Sequence, residues 1–268
     1  MSHEPPSQRR RHEPGPKPKP VPVPTPTPPP TPTPPEPTPV PVPTPVGIPA
    51  APTTAPAGWN IVKVDTFPGT TLDAEWWPWT GQPGGEPNAE WVTADIVVNN
   101  GLSLLTSGPK GSVYDSGGIG SAIAQTYGKY EVCCQMPQVN GISFIALLWP
   151  DEGTWPIDGE IDFLESGSGP FNATLHYGEN NSQIAVESKS SSLLGAGFDW
   201  APYHVWGVEW TAGKLAYTVD GGVWGTVNSP DVPSGPMNLD IQAENVGADQ
   251  TITNADFAIA WVAIYSVA

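Results

Sequence analysis

The chain has 268 residues, 36 of them proline, and a formal net charge of −17. Its length suits one packed domain beside a segment that cannot pack, and its acidity argues against nucleic acid and anionic membranes, which are held by clustered Lys and Arg. No apolar stretch approaches the length of a membrane helix, so membrane insertion is not expected.

In chain order the first segment is residues 1–57, which hold 23 of the prolines, largely as "KPKPVPVPTPTPPPTPTPPEPTPVPVPTP". Such a composition buries too little apolar surface to offset the entropy of ordering, so residues 1–57 are expected to be a disordered tail or linker. Proline biases it to an extended polyproline II rod, in which about 26 residues reach on the order of 80 Å. The run "RRR" at Arg9 to Arg11 reads as solvated charge, and the N-terminus lacks the apolar run of a secretory signal.

Residues 58–268 carry all twelve tryptophans, five lysines, no arginine and 24 acidic residues, a formal charge of −19. A neutral ligand suits that surface better than an anionic one. Short apolar or alternating segments recur between Gly, Pro, Asn and Asp: "WNIVKVDTF", "ADIVVNNGLSLLTS", "GKYEVCCQM", "SFIALLWP", "GEIDFLE", "NATLHYG", "HVWGVEWTAGKLAYTVDGGVWGTV", "MNLDIQAE" and "FAIAWVAIYSV". Within these, "WTAGKLAY" and "VDGGVW" read as tight hairpins, since Gly supplies the positive backbone dihedral such turns need. With no amphipathic helix to cover parallel strands, the pattern predicts an all-β domain, an antiparallel β-sandwich over residues 58–268. Cys133 and Cys134 are adjacent, so on a strand they point to opposite faces and make neither a disulfide nor a zinc site.

The stretch "WPIDGEIDFLES" places Asp158, Glu160, Asp162 and Glu165 among apolar residues. Residues two apart share a strand face, so Glu160 and Asp162 point together, and strict alternation would put Leu164 beside them. One extra residue, a β-bulge, returns Glu165 to the acidic face. Two carboxylates roughly 5–5.5 Å apart are what a retaining glycosidase needs: an ionised nucleophile and an acid/base of raised pKa. A third acid between them helps keep their pKa values apart. A solvated acidic edge or a calcium site is the competing reading.

The same residues carry a resemblance. "GEIDFLE" has the form E-x-D-x-x-E and resembles the signature strand of glycoside hydrolase family 16, the β-jelly-roll endoglycanases. "VDTFPGTTLDAEWW", "YGKYEV", "NATLHYG" and the closing "WVAIY" are similar to other family segments and stand in the family's order. The resemblance implies a jelly roll with Glu160 as nucleophile, Glu165 as acid/base and Asp162 as the assisting carboxylate. It implies sugar-binding aromatics at Trp149 and Trp155, with core packing as the rival role for Trp149. It places His176 near the cleft, where a satisfied core histidine is the alternative. Asn88 and Glu90 resemble a family cleft loop, and Gln242 and Glu244 alternate toward one face of "DIQAE". Trp206, Trp210, Trp224 and Trp261 read as core.

Two positions depart from the family pattern. Gly118 stands where many laminarinase-like members have an arginine, and Ala260 stands where the closing strand often has an aspartate that helps hold calcium. No cofactor or catalytic metal is expected, and a structural calcium ion would lack that ligand. The resemblance implies a monomeric, retaining endo-hydrolase of a neutral β-glucan, β-1,3 or mixed β-1,3/1,4 linked. The alternatives are a non-catalytic carbohydrate-binding or adhesion module, or a transglycosylase using the same intermediate. Polysaccharide as partner makes an extracellular, surface or virion-associated location the expectation.

Overall fold

The structure, a computed structural model, describes residues 47–84, 86–110, 113–137, 141–166, 171–187, 191, 193–194, 198–245 and 254–268. The proline-rich run up to residue 46, expected to be disordered, lies outside them.

The alternating segments form strands β1 (Trp59–Asp65), β2 (Trp76–Pro78), β3 (Ala89–Trp91), β4 (Ile96–Val98), β5 (Leu102–Lys110) and β6 (Val113–Ser116). There follow β7 (Gly118–Gln125), β8 (Gly128–Gln135), β9 (Ile142–Pro150), β10 (Glu160–Glu165), β11 (Asn172–Tyr177) and β12 (Ser182–Glu187). The last are β13 (His204–Thr211), β14 (Lys214–Val219), β15 (Gly222–Asn228), β16 (Met237–Asn245) and β17 (Ala255–Val267). Among the described residues the one helical turn is a 3₁₀ segment, Thr93–Asp95. Both predicted hairpins form, and in the second Asp220 and Gly221 take φ of 48° and 78°, the paired positive values of a type I′ turn.

Seven strands make one sheet in the order β12-β11-β10-β9-β16-β7-β2, and ten make the other. The ten-stranded path runs β15-β14-β13-β8-β17-β5-β6-β3, with β1 also paired to β17 and β4 to β5. Every pair is antiparallel except β3 with β6. The sheets enclose a core in which Tyr130, Val132 and Trp206 from one meet Phe144, Leu148, Ile161 and Ile241 from the other. Strand β9 is apolar throughout because both its faces are covered: Phe144, Ala146 and Leu148 enter that core, while Ile145, Leu147 and Trp149 form a cluster on the outer face. Cys134 faces the core and Cys133 the outside of the ten-stranded sheet, so their side chains diverge as adjacent strand residues must; both are free.

Packing begins before the change in composition at residue 57. Ile48 and Ala51 lie on the outer face of the ten-stranded sheet against the cluster of Cys133, Trp261, Ala263 and Tyr265, and the Trp261 Nε1–H donates to the Pro49 carbonyl at 2.8 Å. Trp261 is therefore buried under a strap of the chain rather than between the sheets. Ala260, the position where the family often has aspartate, packs into the same cluster. Removing residues 1–57 strips away the part-buried Trp261–Pro49 hydrogen bond, worth about 1 kcal/mol, the Trp59–Pro56 backbone hydrogen bond, and the apolar cover of Trp261. Since about 1 kcal/mol shifts Tm by roughly 2–4 °C at this size, the truncated domain should melt some 3–8 °C lower by differential scanning calorimetry.

Candidate active site

Strand β10 carries the acidic residues, and its pairing shows how they are aimed. On the β9 side, Ile161 pairs with Leu148 and Asp162 with Leu147, but then Leu164 pairs with Ala146 and Glu165 with Ile145. Phe163 is the inserted residue of a β-bulge. Phe163 and Leu164 both enter the core, and Glu165 returns to the face it shares with Ile145, Leu147 and Trp149. On the other side Glu160 pairs with His176, Asp162 with Thr174 and Glu165 with Asn172.

The pairing sets three cross-strand rows on the outer face of the seven-stranded sheet. Asn238, Trp149, Glu160 and His176 form the first. Asp240, Leu147, Asp162 and Thr174 form the second, and Gln242, Ile145, Glu165 and Asn172 the third. The three acids thus occupy successive rows of one strand. Glu160 and Asp162 are fully buried and Glu165 is partly exposed.

The loop before β10 is shaped for this. Asp158, the fourth acid of the stretch, accepts from the Thr154 backbone N–H at 2.6 Å and donates its own N–H to the Thr154 carbonyl, so it closes the loop. Gly159 has φ of +86°, and a Cβ there would lie 2.3 Å from Pro233 Cγ; only glycine lets the chain enter β10 at this angle. The loop lays Trp155 over the acids: its Nε1–H donates to Glu160 Oε2 at 2.7 Å. Its ring is nearly parallel to that of Trp149, 11° apart with centroids at 6.3 Å, and 6.4 Å from the His176 ring. Both tryptophans belong to the acid face, and Trp149 takes no part in the core between the sheets.

His176 is the cation of the group. Its Nε2 meets Asp162 Oδ2 at 3.2 Å and its Nδ1 meets Asn181 Oδ1 at 2.8 Å, so both ring nitrogens face acceptors. Burial, the largest single influence, pulls its pKa down. The hydrogen bond and charge of Asp162, the charge of Glu160 and the Asn181 contact outweigh it, and the pKa rises from 6.5 to about 9. Donor atoms of Glu160, Asp162 and His176 lie within 4.8 Å of one another, close enough to clasp a metal ion. The Nδ1 atom also lies 3.2 Å from Gln183 Nε2. The described side chains of Lys63, Lys129 and Lys214 all belong to the ten-stranded sheet.

The other predicted residues divide. Gln242 and Glu244 are buried on the acid face of β16, opposite Ile145 and Ser143. Asn88 and Glu90 are exposed at the β3 edge of the ten-stranded sheet, outside the three rows. Asn181, Asn238 and Asp240 were not singled out from sequence. The alternation of "NLDIQAE" carries a signal for the last two; Asn181 reaches His176 through a turn in which it takes φ of 48°, and spacing gives no hint of that.

Residues 85–263 match the family model described as glycosyl hydrolases family 16. The chain belongs to that family. It is 30% identical over 175 residues to the endo-1,3-1,4-beta-glycanase ExsH of Rhizobium meliloti, covering 60% of this chain and 36% of the relative. It is 26% identical over 233 residues to the glucan endo-1,3-beta-glucosidase A1 of Niallia circulans, covering 72% and 34%. The chain thus spans well under half the length of these two relatives. The fold matches the laminarinase catalytic domain of Thermotoga maritima with a TM-score of 0.65 at 21% identity, over 78% of this chain and 99% of that one. A Bacteroides ovatus mixed-linkage glucan family 16 protein, solved with a G4G4G3G product, aligns with a TM-score of 0.65 at 22% identity, over 76% and 100%.

The raised His176 pKa fixes a pH dependence. Because the folded value lies above 6.5, the stabilisation is fully present below that pH and is lost as pH climbs through about 9. Thermal melts from pH 6 to 10 should show wild-type Tm falling toward that of His176→Gln across this window, the two curves being furthest apart at its acid end.

Proposed function

We propose that this domain is a retaining endo-hydrolase of a neutral β-glucan, β-1,3 or mixed β-1,3/1,4 linked, acting by double displacement. The observation that carries the reading is the bulge at Phe163, which aligns Glu160, Asp162 and Glu165 on one face beneath two parallel indoles. Glu160 attacks the anomeric carbon; Trp155 holds its carboxylate in place through the Nε1–H. Glu165, the partly exposed acid, protonates the departing oxygen and then takes a proton from the water that releases the glycosyl-enzyme. Asp162, paired to His176, stands between them in the middle row.

The substrate class rests on three supports. The acids and the absence of arginine from residues 58–268 disfavour an anionic polymer. Parallel Trp faces suit the apolar faces of sugar rings, and the relatives named above are by their names an endo-1,3-1,4-beta-glycanase and a glucan endo-1,3-beta-glucosidase. A polysaccharide substrate in turn supports an extracellular or surface location.

A non-catalytic glucan-binding role has one comparison in its favour, a beta-1,3-glucan-binding protein of Penaeus monodon that is 33% identical over 116 residues. Against it, a module that only binds has no use for two fully buried acids side by side on one strand face, whose desolvation costs stability. Incubation with laminarin and mixed-linkage β-glucan should release reducing ends, with NMR showing the β-anomer first. Glu160→Gln and Glu165→Gln should each lose at least about 100-fold in rate with unchanged folding. An α-anomer as first product, or turnover that survives both substitutions, refutes the assignment.

A further inference from the structure

The strap on the ten-stranded sheet leaves an open groove along one side. About 550 Å³ of space lies between Pro49 and Pro52 of the strap and Tyr203, His204 and Asp220, at the start of β13 and in the turn after β14. Pro49 and Pro52 stand three residues apart, the repeat of a polyproline II helix, and both line this groove. The outer face thus already holds one proline-rich strand. It does so through the Trp261 indole N–H to the Pro49 carbonyl, and through Ile48 and Ala51 on the cluster around Cys133.

The free wall offers what a second such strand needs. Proline-rich segments dock on aromatic surfaces, where a chain that is already extended loses little entropy on binding. Tyr203 packs half-buried against the cluster. The His204 ring is fixed at both ends, its Nδ1 at 2.7 Å from Asp220 Oδ2 and its Nε2 at 2.7 Å from the Asp199 carbonyl. The groove is also acidic. Glu131, which lines it too, is engaged by Lys129 at 3.2 Å and by the Tyr265 hydroxyl at 2.8 Å. Asp220 accepts from the Val205 N–H at 2.9 Å, yet its side chain stays 48% exposed, open to a cation from outside.

The chain itself contains a segment of matching chemistry. Residues 8–24, "QRRRHEPGPKPKPVPVP", carry five of the ten basic residues, while residues 58–268 have a formal charge of −19 and no arginine. Within that segment Lys17 and Lys19 alternate with proline. Residues 21–46, about 26 in number, separate it from the strap and span on the order of 80 Å as the rod their composition predicts. A spacer so stiff does not double back to a groove beside its own point of attachment. The groove within its reach is that of another molecule.

We propose that this groove binds residues 16–24 of a second copy of this chain, so that copies join head to tail. Proline rings of the incoming segment rest on Tyr203 and His204, and Lys17 or Lys19 reaches Asp220. Such a contact is heterologous and does not close on itself, so assemblies lengthen as concentration rises. The groove lies on the sheet opposite the acids, and the inference stands apart from the hydrolase reading.

The test is sedimentation velocity on the full chain over about a hundred-fold range of concentration at low salt. The proposal expects a sedimentation coefficient that climbs with concentration and falls back when an excess of the free peptide of residues 8–24 is added. Two changes should each weaken association about ten-fold or more: Asp220→Asn, which suits the positive φ of that turn, and Lys17→Glu combined with Lys19→Glu. The lysine pair stands outside residues 58–268, so it decides the matter should Asp220→Asn not fold. A coefficient that stays level overturns the proposal, and so does association that survives both changes. Peptide binding by a chain that itself stays monomeric also overturns it, because the groove then serves a foreign proline-rich partner or the chain's own tail.

Discussion

One inserted residue governs this site. Phe163 adds a step to β10 between Asp162 and Leu164, and so two adjacent apolar side chains enter the core while Glu165 is turned outward. Without the extra step, the side-chain period of two would direct Glu165 inward among Phe144, Leu148 and Leu175, where a carboxylate has no partner and the desolvation penalty is several kcal/mol or more. The bulge is stable because both its apolar residues gain burial, each leaving water entirely. Core packing and site geometry are thus one constraint: the residues that stabilise the kink also align the acids.

The electrostatics of the cleft follow from that alignment. Three carboxylates in neighbouring rows repel one another, and the group persists because each has a distinct surrounding. Glu160 accepts from an indole N–H, Asp162 faces an imidazolium, and Glu165 keeps access to solvent. The described side chains of Lys63, Lys129 and Lys214 lie on the opposite sheet.

The two outer faces of the sandwich are put to different uses. The seven-stranded face holds the acids and the parallel indoles of Trp155 and Trp149. The ten-stranded face is covered by the strap at Ile48, Pro49 and Ala51, with Trp261 as its anchor. Residues 48–51 thus pack on the face away from the acids.

Sequence alone determined the class of fold and the position of the acids. Alternation, Gly and Asp turns and the lack of any amphipathic helix require a sandwich, and the two-then-three spacing of Glu160, Asp162 and Glu165 requires a bulge, because strand periodicity is a local property of the chain. Local rules did not reach the role of Asp158 in closing its loop, the Asn181–His176–Asp162 relay, or the strap over Trp261. Each joins residues on different strands or loops, and which of them meet is set by sheet register, a property that only the folded sandwich possesses.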